Sequence, residues 1–101
     1  MNTITIMICD DDKSLQKLLQ QKIEKFCVDR NKACRIVCCD SGEEMLALPA
    51  PDILFLDIQM SGKNGMESTS FFGGLCNYFY FYGRNISFAL HAARILIQRK
   101  K

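Results

Sequence analysis

The chain is predicted to fold as an α/β domain on a parallel sheet, and three features of its 101 residues predict it. Ile4-Thr5-Ile6-Met7-Ile8-Cys9 and Ile53-Leu54-Phe55-Leu56 are almost unbroken apolar runs, the pattern of strands buried on both faces. Between them, strand-like and helix-like segments alternate with short links, which favours right-handed βαβ units. Both runs also end in acid, Asp10-Asp11-Asp12 after the first and Asp57 after the second. Open parallel sheets carry their sites in the crevice beyond such strand ends.

The first strand covers residues 3–9. Asp12 or Ser14 caps a helix over about 14–29, whose apolar Leu15, Leu18, Leu19, Ile23 and Phe26 recur by threes and fours. Lys13, Lys17, Gln20, Gln21, Glu24 and Lys25 mostly face water, and Asp29-Arg30-Asn31-Lys32 is a polar turn. Arg35–Cys39 is a second short strand. Ser41 and Glu44 have capping-box spacing and open a short helix that Pro49-Ala50-Pro51 stops. The third strand is 53–57, and Ser61-Gly62-Lys63-Asn64-Gly65 is a loop.

After Glu67 the pattern weakens. Residues 68–74 are poor in helix formers and include Gly73-Gly74, where a third crossover helix would lie. Asn77–Tyr82 has strand propensity. Asn85 caps a last helix with Ile86, Ala89, Leu90, Ala93, Leu96 and Ile97 on one stripe. A variant of this reading makes Arg94–Ile97 a short final strand.

Length allows one domain, 1–101, with no second core. A formal net charge of +2, partly in Arg99-Lys100-Lys101, does not argue for nucleic acid, and the aromatic residues 71–82 lack interleaved cations for a base-stacking platform. No apolar run has the roughly 20 residues of a membrane span, and no signal peptide is legible, so a cytoplasmic protein is expected. The six cysteines show no CxxC spacing and are expected as structural thiols. His91 reads as a surface or partner contact, and Gly62–Gly65 is too short for a P-loop.

Carboxylates that meet in a partly desolvated cleft repel one another unless a cation intervenes. An all-oxygen set with room for water suits Mg2+ better than Ca2+. Asp11 and Asp57 are expected as direct ligands, Asp10 as a water-mediated one, and the main-chain carbonyl of Gln59 within reach. A metal beside a free carboxylate invites phosphoryl chemistry, with Asp57 as nucleophile. Asp12 is expected to cap the helix.

Residues 1–67 resemble the receiver domain of two-component response regulators, especially receivers that precede LytTR-type DNA-binding domains. The resemblance rests on Ile6–Asp12, on Asp52–Met60, and on Gly62 with Asn64-Gly65-Met66-Glu67; Ser61 stands where these receivers usually carry proline. It implies a flavodoxin-like fold of strand order 2-1-3-4 with the fifth strand doubtful or missing. It implies Asp57 as phosphoacceptor, Asp10 and Asp11 as the metal pair, Gln59 as carbonyl ligand, and a sensor histidine kinase as donor. The module signals and is not an enzyme.

Receivers also use a Thr or Ser ending the fourth strand and a Lys ending the fifth. Tyr82-Gly83-Arg84 stands at the first place, Ser87 falls in the last helix, and Lys100 and Lys101 follow no suitable strand. Neither role is assigned, and switching is expected to be impaired. Divergence or an altered reading frame after Glu67 would each produce such a tail, and no output domain is expected. Two rivals follow. One is a Mg2+-dependent phosphatase of the haloacid-dehalogenase type, disfavoured because Gln59 stands where its second Asp belongs. The other is a receiver-derived module that only forms homodimers through the C-terminal aromatic segment.

Overall fold

The computed structural model describes residues 3–57, 78–82 and 86–99. Its elements are β1 (Ile4–Cys9), α1 (Lys13–Asp29), β2 (Cys34–Cys39), α2 (Gly42–Leu46), β3 (Ile53–Asp57), β4 (Tyr78–Tyr82) and α3 (Ile86–Arg99). The four strands form one sheet in the order β2-β1-β3-β4. All three pairings are parallel, as predicted, with Cys9 beside both Cys39 and Leu56. No fifth strand is present among the described residues.

The two central strands fill the core from both faces, which is why their sequences do not alternate. Ile4, Ile6, Ile8, Ile53 and Phe55 point to the side covered by α1 and α3; Met7, Cys9, Leu54 and Leu56 point to the side of α2. On α1 the buried stripe is Leu19, Ile23 and Cys27. Leu18, expected on that stripe, is 39% exposed, because Cys27 continues the three-and-four step on the other side of Leu19. The last helix is continuous through Arg94–Ile97, so the short final strand is not formed. Ala89, Ala93 and Ile97 are its buried positions, with Ile86, Leu90 and Leu96 half-buried beside them.

The local signals operate as chemistry requires. Asp12 caps α1, its Oδ1 accepting from the Ser14 and Leu15 amides at 3.0 and 3.2 Å. Ser41 Oγ accepts from the Glu44 amide at 3.1 Å, while Glu44 Oε1 reaches back to the Asp40 amide at 3.0 Å. Asn31, at φ 56°, takes the left-handed conformation that ends α1, and the Lys32 amide donates to the Cys27 carbonyl at 2.8 Å. At the opposite end of the sheet from the acids, Asp52 clips β1 to the start of β3. Its Oδ2 accepts from the Thr5 amide and its own amide donates to the Thr5 carbonyl, both at 2.9 Å.

One expectation about the cysteines is corrected. Cys9, Cys38 and Cys39 are free and sit in strands, but Cys27 and Cys34 form a disulfide. The end of α1 and the start of β2 bring these two, seven positions apart, to a Cα–Cα distance of 6.5 Å, within bridging range.

Candidate functional site

The register places the acids. Cys9 and Leu56 are side by side, so the residue that follows each, Asp10 and Asp57, leaves the sheet at the same edge of the same crevice. Asp57 closes β3 and Asp10 follows β1 directly; both are wholly buried. Asp11, half-buried, lies in the bend between β1 and the α1 cap. One carboxylate oxygen from each of Asp10, Asp11 and Asp57 lies within 4.8 Å of the others. Three converging carboxylates, two of them removed from water, form a hard-oxygen donor set that suits a small divalent cation. The residues therefore fit the Mg2+ that the sequence pattern implies.

The loop that carries these acids is braced from several directions. The Asp12 amide donates to Asp10 Oδ1 at 2.9 Å, and the Asp10 amide donates to the Cys39 carbonyl at 3.1 Å. The Gln16 amide nitrogen reaches the carbonyls of Cys39 and Asp10 and the carboxylate of Asp40. Lys13 approaches Asp40 at 3.4 Å, an exposed pair of small energetic value. Asp12 is spent on the helix cap, as expected of it.

Two of the strand-end thiols, Cys9 and Cys38, are held in the protonated form. Cys9 is raised far above its ordinary value by its hydrogen bond to Cys39 and by burial; its Sγ also donates to the Ser41 carbonyl at 3.4 Å. Burial, with help from Cys39 and Asp40, pushes Cys38 up to about 11. These cysteines serve as small core residues, in keeping with the sequence reading.

Of the predicted site residues, Asp10, Asp11 and Asp57 are brought together. Gln59, Ser61, Lys63 and the aromatic Phe71 and Phe72 lie outside the described residues, as do Gly83, Arg84, Lys100 and Lys101. Ser87 is exposed, near the start of α3. Gln16 was not singled out by the sequence reading. Its signal was available: it stands three residues before Leu19 on the buried stripe of α1, a polar residue where an apolar one is expected.

The fold is that of signal receiver domains. The structure matches the Francisella response regulator 1452 receiver domain with a TM-score of 0.68 at 14% identity, covering 97% of this chain and 99% of that one. It matches a two-component response regulator from Cytophaga hutchinsonii with a TM-score of 0.61 at 17% identity, covering 98% of this chain and 100% of that one. A structure described as an adenylate cyclase from Rhodopirellula baltica matches with a TM-score of 0.59 at 18% identity, covering 97% and 92%. No protein-family model matches the chain, and no curated protein does. No described helix is long and apolar enough to cross a membrane.

Proposed function

We propose that this chain is a phosphoryl-accepting receiver of two-component signalling, with Asp57 as the acceptor and a sensor histidine kinase as the donor. The observation that carries the reading is the convergence of Asp10, Asp11 and Asp57 at the carboxyl edge of adjacent parallel strands, within a receiver-type fold. Asp10 and Asp11, with the carbonyl of Gln59, would hold Mg2+ together with Asp57. That ion would neutralise the phosphoryl oxygens and relieve the repulsion among the acids.

The reaction is a single transfer. An Asp57 carboxylate oxygen attacks the phosphorus of a phosphohistidine, a P–O bond forms, the P–N bond breaks, and the imidazole leaves. Burial of Asp57 at the end of β3 fixes its direction of attack and limits water around the acyl phosphate. The product is a modified protein, so the module signals and does not turn over substrate. Among the described residues none takes the role of the phosphoryl-binding hydroxyl or lysine. A phosphoryl group without them would lack charge-assisted contacts of roughly 1.5–3 kcal/mol each, weakening conformational switching more than phosphorylation.

Such a partner places the domain in the cytoplasm, and nothing in the reading calls for nucleic acid. In the described sheet β4 is an edge strand, hydrogen-bonded to β3 alone, and an open edge of this kind can accept a second copy. Incubation with acetyl phosphate and Mg2+, read by intact mass, tests the reading. The expected result is one phosphoryl group per chain, abolished by Asp57→Asn and by chelation; an adduct that survives Asp57→Asn overturns the assignment.

A further inference from the structure

Gln16 sits one turn into α1, on the stripe that otherwise packs against the sheet. Its side-chain nitrogen lies 2.8 Å from the Cys39 carbonyl, 3.1 Å from the Asp10 carbonyl and 3.2 Å from Asp40 Oδ1. All three partners are acceptors, so the amide must present its NH2 group to them; a carboxylate or a hydrocarbon of the same length could not make these bonds. The contacts span three elements of the chain: the loop after β1, the end of β2 and the residue before the α2 cap.

We propose that Gln16 is a positioning residue for the divalent-cation site, holding the peptide between Asp10 and Asp11 against the end of β2 so that both carboxylates face Asp57. The inference rests on the receiver reading above. The Asp10 carbonyl belongs to the peptide that leads into Asp11, and its orientation sets where the Asp11 side chain leaves the loop. The bond from the Asp12 amide fixes the Asp10 carboxylate but not this peptide plane. Lys13 also reaches Asp40, but it is largely exposed and touches neither carbonyl. The Gln16 side chain, by contrast, joins the loop's backbone to the end of β2 through these two bonds. Partners of this kind, which touch the ligands and not the ion, commonly govern affinity by tenfold or more.

The test uses the full chain and Mn2+ as a paramagnetic stand-in, with free ion followed by electron paramagnetic resonance. Gln16→Met keeps length and removes the donors; Ile23→Val perturbs the α1 core away from the acids and serves as the control for loss of stability alone. Both variants are checked for folding by circular dichroism and thermal melting. The expected result is a dissociation constant about tenfold higher in Gln16→Met and unchanged within about twofold in Ile23→Val. An unchanged constant in Gln16→Met, or an equal rise in Ile23→Val, overturns the inference while leaving the receiver reading intact. Wild-type protein that binds no Mn2+, or binding that Asp57→Asn leaves unchanged, overturns the metal-site reading itself and the role of Gln16 with it.

Discussion

The two ends of the sheet are secured in different ways. At the carboxyl end, α1 and β2 are joined by the side-chain bonds of Gln16 and an exposed Lys13–Asp40 pair, around three acids drawn close together. At the opposite end, the same two elements are joined covalently by Cys27–Cys34, and β1 is clipped to the start of β3 by Asp52. The far end is built to stay put. The acidic end draws three carboxylates together, an arrangement that a bound cation would favour, so its stability is expected to depend on what occupies it.

The largest expected effect comes from removing the covalent link. The disulfide closes a loop of about eight residues, and the chain-entropy relation gives about 2.5 kcal/mol for it. Reduction, or Cys27→Ser with Cys34→Ser, should lower the melting temperature by roughly 10 °C or more. Mn2+ affinity should change little, because the link lies at the far end; a large loss of affinity would show the two ends to be one cooperative unit. The bond also bears on location, since disulfides persist mainly in oxidising compartments while a kinase partner implies the cytoplasm. Thiol alkylation of protein taken directly from cells would show which state is populated.

A smaller effect is expected at the acidic end. In metal-free protein, Asp57→Asn should raise the melting temperature by a few degrees, because it removes a wholly buried carboxylate from a group of three that converge. Mg2+ should then stabilise the wild type and leave the variant unmoved; stabilisation of both alike would break the contrast between the two ends. The smallest effect concerns Cys38. Its thiol is pushed up to about 11 from an ordinary value near 9, so the folded state holds a proton that the unfolded chain releases first. Stability from this source is full below about pH 9 and declines as pH rises towards 11. Alkylation of folded protein at neutral pH should accordingly be slow, and rapid labelling of Cys38 would contradict the burial that raises it.

Much of this arrangement is legible in the sequence. The apolar runs 4–9 and 53–56 read as buried strands of a parallel sheet, and if they pair side by side the acids after them meet, as the β1–β3 register shows. Asp12, Ser41 and Glu44 announced their caps because capping is local chemistry with fixed spacing. Leu18 was misplaced because a helix wide in apolar residues offers two overlapping stripes, and packing against β1 and α3 selects the one through Cys27. The disulfide was illegible for a different reason: spacing of seven does not report how a helix end turns into a strand. Gln16 was passed over because a polar side chain on a helix is usually solvated, and only the fold reveals the two carbonyls and the carboxylate in front of it.

The central claim is that Asp10, Asp11 and Asp57 converge on one divalent ion. Anomalous scattering from crystals of the protein soaked in Mn2+ tests this directly. A single strong peak among those three carboxylates, lost in Asp57→Asn, is the predicted result; the absence of a peak there, or one of equal height elsewhere, would contradict it.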